Sequence, residues 1–394
     1  QGGGKNPQYR YFSRLTAYAT RLCKLFRGGR MLAPAAVLYH AEAEWACGKY
    51  MNCARPIKVM AQNQIDCDIL PLDVFTTDNY QTVLGEDFVR VNETAYRALV
   101  IPYAEVIPAA LAQVVDTLPI PVCIVDALPS RVIGGGALPT HVDVVPLAEV
   151  ANWLRAHGAA DISVSSPAPA LFYQRYEQGD MHLYLLVNQS FHEAVSTTVI
   201  LPEQGSCMLY DAMDNRFFEA PAHTCAKGTA LQVELAPFET IVAVFGGTEG
   251  ITPEPLPQYS AAETLTPEWT LSSATGDAYP NFTPAGTLTE LVNQGAPGKF
   301  QELYGTLRYQ ARVTLPAGTR TIDLGRAFDT AELFVNGQSA GARICPPYRF
   351  EVAQLLQPSE NELTIDITGG TRSLRNQTLQ LEPFGLLGPV TALK

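Results

Sequence analysis

The spacing of apolar residues changes near residue 165, and that change constrains the architecture more than any other feature. Between residues 31 and 160, apolar runs alternate with segments of helical period. "PAAVLYH" (34–40), "CDILPLDVF" (67–75), "YRALVIP" (96–102), "PVCIVDALP" (121–129) and "HVDVVP" (141–146) read as strands. Runs without polar alternation suit strands covered on both faces. "YMNCARPIKVMAQNQI" (50–65), "AEVIPAALAQVVDTL" (104–118) and "LAEVANWLRAHG" (147–158) read as helices, with Pro56 kept near a first turn because it lacks an N–H.

This order predicts a mainly parallel sheet with right-handed crossovers. A flavodoxin-like doubly wound layer over residues 31–165 is the expected form. Beyond residue 165 no helical period interrupts a series of short strands. "ALFYQRYEQGDMHLYLLVNQ" (170–189) turns at Gly179–Asp180, and the strands up to "ETIVAVFGG" make a small β-sandwich over 166–247. The Pro-rich stretch 248–262 reads as a linker. Residues 263–394 read as a second β domain of jelly-roll type, in which Asn336–Gly337 is the strongest hairpin signal, since both turn positions need φ > 0. The chain is thus expected to be multidomain, α/β plus all-β.

Residues 1–30 do not resemble a domain start. Phe12, Leu15, Tyr18, Leu22, Leu25 and Phe26 recur at helical spacing, and Gly28–Gly29 ends the helix. A lone helix cannot bury such a stripe and must pack on something else.

The net charge of −12 is spread along the chain, which argues against nucleic acid or an anionic membrane as partner. No apolar run reaches the ~20 residues of a membrane span, and residues 1–10 lack the apolar core of a signal peptide. Of the eight cysteines, Cys47 and Cys123 among them, none forms a CxxC pair. They read as reduced residues in a cytoplasmic setting; a secreted or periplasmic one would need a signal peptide upstream. No metal site and no cofactor are expected.

The last 130 residues carry a recognisable combination. "YGTLRYQARVTLP", "DTAELFVNG", "PPYRF", "LLQPSENELTI" and "GLLGPV" together resemble the galactose-binding-like, sugar-binding jelly roll of glycoside hydrolase family 2 and its relatives. "APAAVLYHAEAEW", "NQIDCDILPLDV" and "YRALVIP" are similar to the flavodoxin-like domain behind the catalytic barrel of family 42 β-galactosidases and family 106 α-L-rhamnosidase-like proteins. "GGGKNPQYRYFSRLTAY" looks like the final loop and helix of a (β/α)₈ barrel in such enzymes. The resemblance implies a parent that hydrolyses a terminal glycosidic bond, with carbohydrate, an upstream barrel and a possible homo-oligomer as partners.

Glycosidases place their two carboxylates at barrel strand ends. No barrel fits in a chain already filled by these three domains, so whether this chain is itself an enzyme stays open. The weak candidates within it are His40, Glu42 and Glu44, which follow the first parallel strand, where open α/β sheets place ligands. The bland reading is a solvated loop with Trp45 at an interface. For sugar binding, an aromatic face and planar polar groups are required. Trp269, Tyr279, Asn336, Arg343, Tyr348 and Arg349 are the jelly-roll candidates, against a scaffold that binds nothing. "IGGGALP" (133–139) lacks phosphate-loop spacing, and Asp66, Asp68 and Asp73 lack calcium-loop spacing. The alternative to a glycosidase part is a free-standing carbohydrate-binding or assembly module.

Overall fold

The structure is a computed structural model that describes residues 6–46, 48–369 and 383–394. Cys47 and residues 1–5 of the expected barrel loop lie outside the described residues. Two compact units are distinguished: Cys23–Leu256, and Gln1–Leu22 together with Pro257–Lys394. The helices are α1 (Phe12–Leu25), α2 (Ala41–Trp45), α3 (Ala54–Gln62), α4 (Asp73–Thr76), α5 (Ala109–Val115) and α6 (Val150–Ala156).

In the first unit, Ala35–Tyr39, Cys67–Pro71, Ala98–Ile101, Val122–Val125 and Asp143–Val145 pair in parallel throughout. Numbered along the chain, they lie in the order 2-1-3-4-5. Alternate residues of the first strand feed two cores. Ala35 and Val37 pack with Met60 of α3 and with Val150 and Leu154 of α6. Ala36 and Leu38 pack with Leu111 and Val115 of α5 and with Tyr96. Both faces of the three inner strands are covered, which is why those strands show no polar alternation.

Three local readings are corrected. The run 67–75 stops as a strand at Pro71, and Asp73–Thr76 is a helical turn. Segment 104–118 is not one helix: Val106–Pro108 is a strand paired in parallel with Arg131–Ile133, and α5 starts only after Pro108, whose missing N–H suits a helix entry. The stretch before Tyr96, unassigned from sequence, supplies most of an antiparallel sheet of Thr82–Leu84, Val89–Val91 and Thr94–Tyr96, so the run 96–102 is divided between two sheets.

The rest of this unit is a pair of facing sheets around one core. The larger contains Leu171–Gln178, Met181–Asn188, Thr240–Phe245, Cys207–Asp211 and Arg216–Glu219, with Arg30–Leu32 at its edge. The smaller contains Ser163–Val164, Val195–Leu201, Gly228–Leu235 and Ala222–Cys225. Tyr173, Tyr184, Leu186, Val199 and Leu231 fill the space between them. Gln64 ties the parallel layer to this region: its amide donates to the carbonyls of Ala168 (2.6 Å) and Leu171 (3.0 Å).

In the second unit, a six-stranded antiparallel sheet runs Thr283–Leu288, Trp269–Thr275, Gly305–Thr314, Glu360–Gly369, Thr330–Val335, Gln338–Arg343. Period-2 alternation puts Leu307, Tyr309, Leu333, Val335, Ile365 and Ile367 into the core. A four-stranded sheet of Ala261–Leu265, Val390–Leu393, Thr321–Asp323 and Arg349–Glu351 completes the fold.

Candidate functional site

The C-terminal edge of the parallel sheet is the first place to look for ligands. His40 lies one residue beyond the first strand and opens α2. It is only 4% exposed, and among the described residues neither ring nitrogen has a hydrogen-bond partner. Burial lowers its pKa to about 4, so the imidazole is neutral at physiological pH. Beyond it, Met51 N–H donates to the Tyr103 carbonyl at 2.7 Å, and Glu105 N–H to the Lys49 carbonyl at 2.7 Å. This short ribbon joins the connection after α2 to the end of the third strand, beside the first, where the strand order reverses. Glu42 and Glu44 sit on α2 and are partly exposed, and the Trp45 ring is 78% exposed. The cluster therefore combines one buried neutral imidazole with two surface carboxylates. A buried imidazole without a partner is not poised to relay a proton to solvent-facing groups.

The jelly-roll candidates divide by burial. Trp269 is 2% exposed and begins the strand Trp269–Thr275 inside the core, so its ring offers no face to a sugar. Tyr348 is equally internal, and its hydroxyl donates to the Asp329 carbonyl at 2.5 Å. Asn336 takes φ of 53° in the hairpin, and its amide donates to the Leu355 carbonyl and to Asn361 Oδ1, both at 2.9 Å. Arg343 Nε donates to the Arg349 carbonyl at 3.0 Å. Arg349 Nε pairs with Asp323 at 3.0 Å, and its guanidinium lies over Tyr259. Sequence identifies residue type and not facing, so two structural aromatics passed for binding residues.

Tyr279 is engaged elsewhere, in a network that sequence reasoning missed. The segment Pro7–Tyr11 is a 3₁₀ turn capped by Asn6, and it lies against the six-stranded sheet. Arg10 Nη2 donates to Thr306 Oγ1 (3.0 Å) and Thr368 Oγ1 (2.7 Å). Its guanidinium also covers the Tyr279 ring. Tyr11 hydroxyl donates to Glu332 at 2.9 Å, and Gln8 amide to Asp329 at 3.3 Å. Next to them, Arg308 grips the fully buried Asp366 through two bonds of 2.7 and 2.8 Å and stacks on Phe282.

Among the described residues, no three His, Cys, Asp or Glu side chains converge as a metal centre would need, and no disulfide joins the seven described cysteines. No described helix is long and apolar enough to cross a membrane.

No family model matches the chain, and no curated protein does. Among solved structures, it is similar to a rhamnosidase from Novosphingobium sp. PP1Y, at 17% identity over 98% of this chain and 41% of that one, with a TM-score of 0.62. A β-galactosidase from Bacillus circulans sp. alkalophilus matches 60% of this chain and 45% of its own at 9% identity, TM-score 0.40. A β-glucuronidase from Bacteroides uniformis matches 34% and 18% at 19% identity, TM-score 0.26. Only the first score is high enough to bear on fold, and it does so over almost the whole of this chain. The chain spans 41% of that rhamnosidase's length. The chain thus shares its fold with part of that rhamnosidase, and is multidomain and mostly β.

Proposed function

We propose that this chain is the non-barrel portion of a glycoside hydrolase acting on terminal sugars, whose catalytic carboxylates lie outside residues 1–394. In this reading the parallel layer is flavodoxin-like, residues 166–247 are a small β-sandwich, 248–262 a linker and 263–394 a galactose-binding-like jelly roll. Residues 1–30 are the closing loop and helix of a (β/α)₈ barrel. The chain stabilises that barrel, shapes one side of its cleft and supports assembly.

The observation that carries the reading is α1. It is amphipathic, yet none of its residues is buried, and Phe12 and Leu15 are 51% and 48% exposed. An apolar stripe of this kind calls for a neighbour. The likeness of 98% of the chain to less than half of a rhamnosidase supports the same reading.

The test is the intact mass of the product of the native gene, followed by an aryl-glycoside assay. A mass far above 42.8 kDa, with hydrolysis by the longer product and none by residues 1–394, is expected. A product of 42.8 kDa that binds carbohydrate without turnover would replace this reading with a free-standing module. Turnover by residues 1–394 that disappears in Glu42→Gln or Glu44→Gln would place the chemistry at α2.

A further inference from the structure

Strand Cys67–Pro71 is the edge of the parallel sheet, and Ile69 on it is 51% exposed. The antiparallel sheet of residues 82–96 and the strand Arg30–Leu32 line the same depression, which encloses about 620 Å³. That volume lies in the range of small-molecule sites, roughly 300–1,000 Å³. We propose that this cleft is a binding site for a neutral saccharide. The proposal rests on the carbohydrate reading above and adds a second place where sugar is held.

The argument is the distribution of chemistry around the cleft. Its apolar lining comes from Met31, Ile69, Val74 and Val91. Such a surface takes the C–H face of a pyranose. Tyr80, Gln81, Asn92 and Glu93 supply the polar groups. The backbone that carries them is fixed: Asn92 N–H donates to the Gln81 carbonyl at 3.0 Å, and Asn92 Oδ1 accepts Gln81 N–H at 3.4 Å. Arg30 pins the neighbouring carbonyl of Glu93 at 2.8 Å and pairs with Glu177 at 2.9 Å. The Gln81 carboxamide, Tyr80 hydroxyl and Glu93 carboxylate make no hydrogen bond to any described residue. A preset backbone with unspent side-chain donors and acceptors suits a ligand rich in hydroxyls.

Charge narrows the class. The Arg30 cation is matched by Glu177, and Glu93 adds one carboxylate, so no positive field awaits a phosphate or a uronate. A carboxylate and a carboxamide accept and donate to adjacent hydroxyls of an uncharged sugar.

The experiment is saturation-transfer NMR on the 394-residue chain with methyl glycosides of rhamnose and galactose, and with glucuronate as the charged comparison. Transfer to a neutral glycoside and none to glucuronate is expected. Gln81→Ala with Glu93→Gln should weaken binding at least tenfold while the thermal midpoint stays put, because neither side chain holds the fold. Ile69→Lys, at an exposed position, should block the floor and abolish transfer. Absence of transfer from every neutral glycoside, or transfer that survives Ile69→Lys, overturns the proposal. Hydrolysis by the longer gene product is read separately, so this site can fail while the proposed function stands.

Discussion

Arg10 stacks on Tyr279, with the guanidinium carbon 3.8 Å from the ring centroid. The same side chain bonds two threonine hydroxyls on neighbouring strands, and Thr306 and Thr368 also bond each other at 2.9 Å. Arg10→Ala should destabilise the unit of residues 257–394 by about 2–3 kcal/mol, from lost charge-assisted bonds and cation–π contact. Arg10→Lys should recover less than half, because an ammonium lacks the planar fork and the stacking face. Trp269 fluorescence in urea, with Trp45 and Trp153 replaced by Phe, reports this unit alone.

The Arg308–Asp366 pair makes a sharper test. Arg308→Ala leaves a fully buried carboxylate without its partner and should cost about 3–5 kcal/mol. Arg308→Met combined with Asp366→Leu removes both charges and should cost much less than the single change. A double-mutant cycle by urea denaturation checks the sign of that coupling.

Two groups in residues 23–256 shift stability with pH in opposite senses. Burial first, then Asp68 and Asp161, raise Asp66 to about 7, against the pull of the Cys67 N–H. Its folded pKa lies above the unfolded value of about 3.9, so stability present in acid is lost as pH rises toward 7. His40 acts in the opposite sense. The unfolded chain protonates it below about 6.5 while the folded chain resists to about 4, so stability is lost as pH falls through that window. Asp66→Asn should stabilise by roughly 2 kcal/mol at pH 8 and hardly at all at pH 4. His40→Leu should help more at pH 4.5 than at pH 8. Denaturant midpoints at these pH values decide both.

Asn336 is expected to matter for folding and not for sugar. Besides its amide bonds, its Oδ1 accepts Glu362 N–H at 3.0 Å, and its φ is 53°. Asn336→Ala should cost about 2–3 kcal/mol, while Asn336→Gly recovers the backbone share. Saccharide binding, measured by the same NMR experiment, should be unchanged in the glycine variant.

The sequence was most legible where a rule is local. The Asn336–Gly337 hairpin announces itself because both residues take positive φ, 53° and 80°. The three inner parallel strands were visible because burial on both faces leaves unbroken apolar runs such as "AAVLY". Val89 and Val91, buried on either side of exposed Arg90, carried an alternation that would have revealed the small sheet at 82–96. Arg10 carried no such signal: its partners lie 296 and 358 positions away, and nothing adjacent marks it as different from Arg14 or Arg21. Trp269 and Tyr348 misled for a related reason. An aromatic beside a loop looks the same in sequence whether it points outward or closes a core.

The distance between Arg10 and Thr368 also sets a timetable. A chain synthesised at about 5–20 residues per second makes Arg10 wait roughly 20–70 s for a partner 358 residues downstream. For most of that interval the strand carrying Glu332, the partner of the Tyr11 hydroxyl, does not yet exist. The whole of residues 23–256 emerges first and has time to fold before the second unit can close. Nascent Tyr11 therefore lacks its Glu332 partner until 321 further residues have been made.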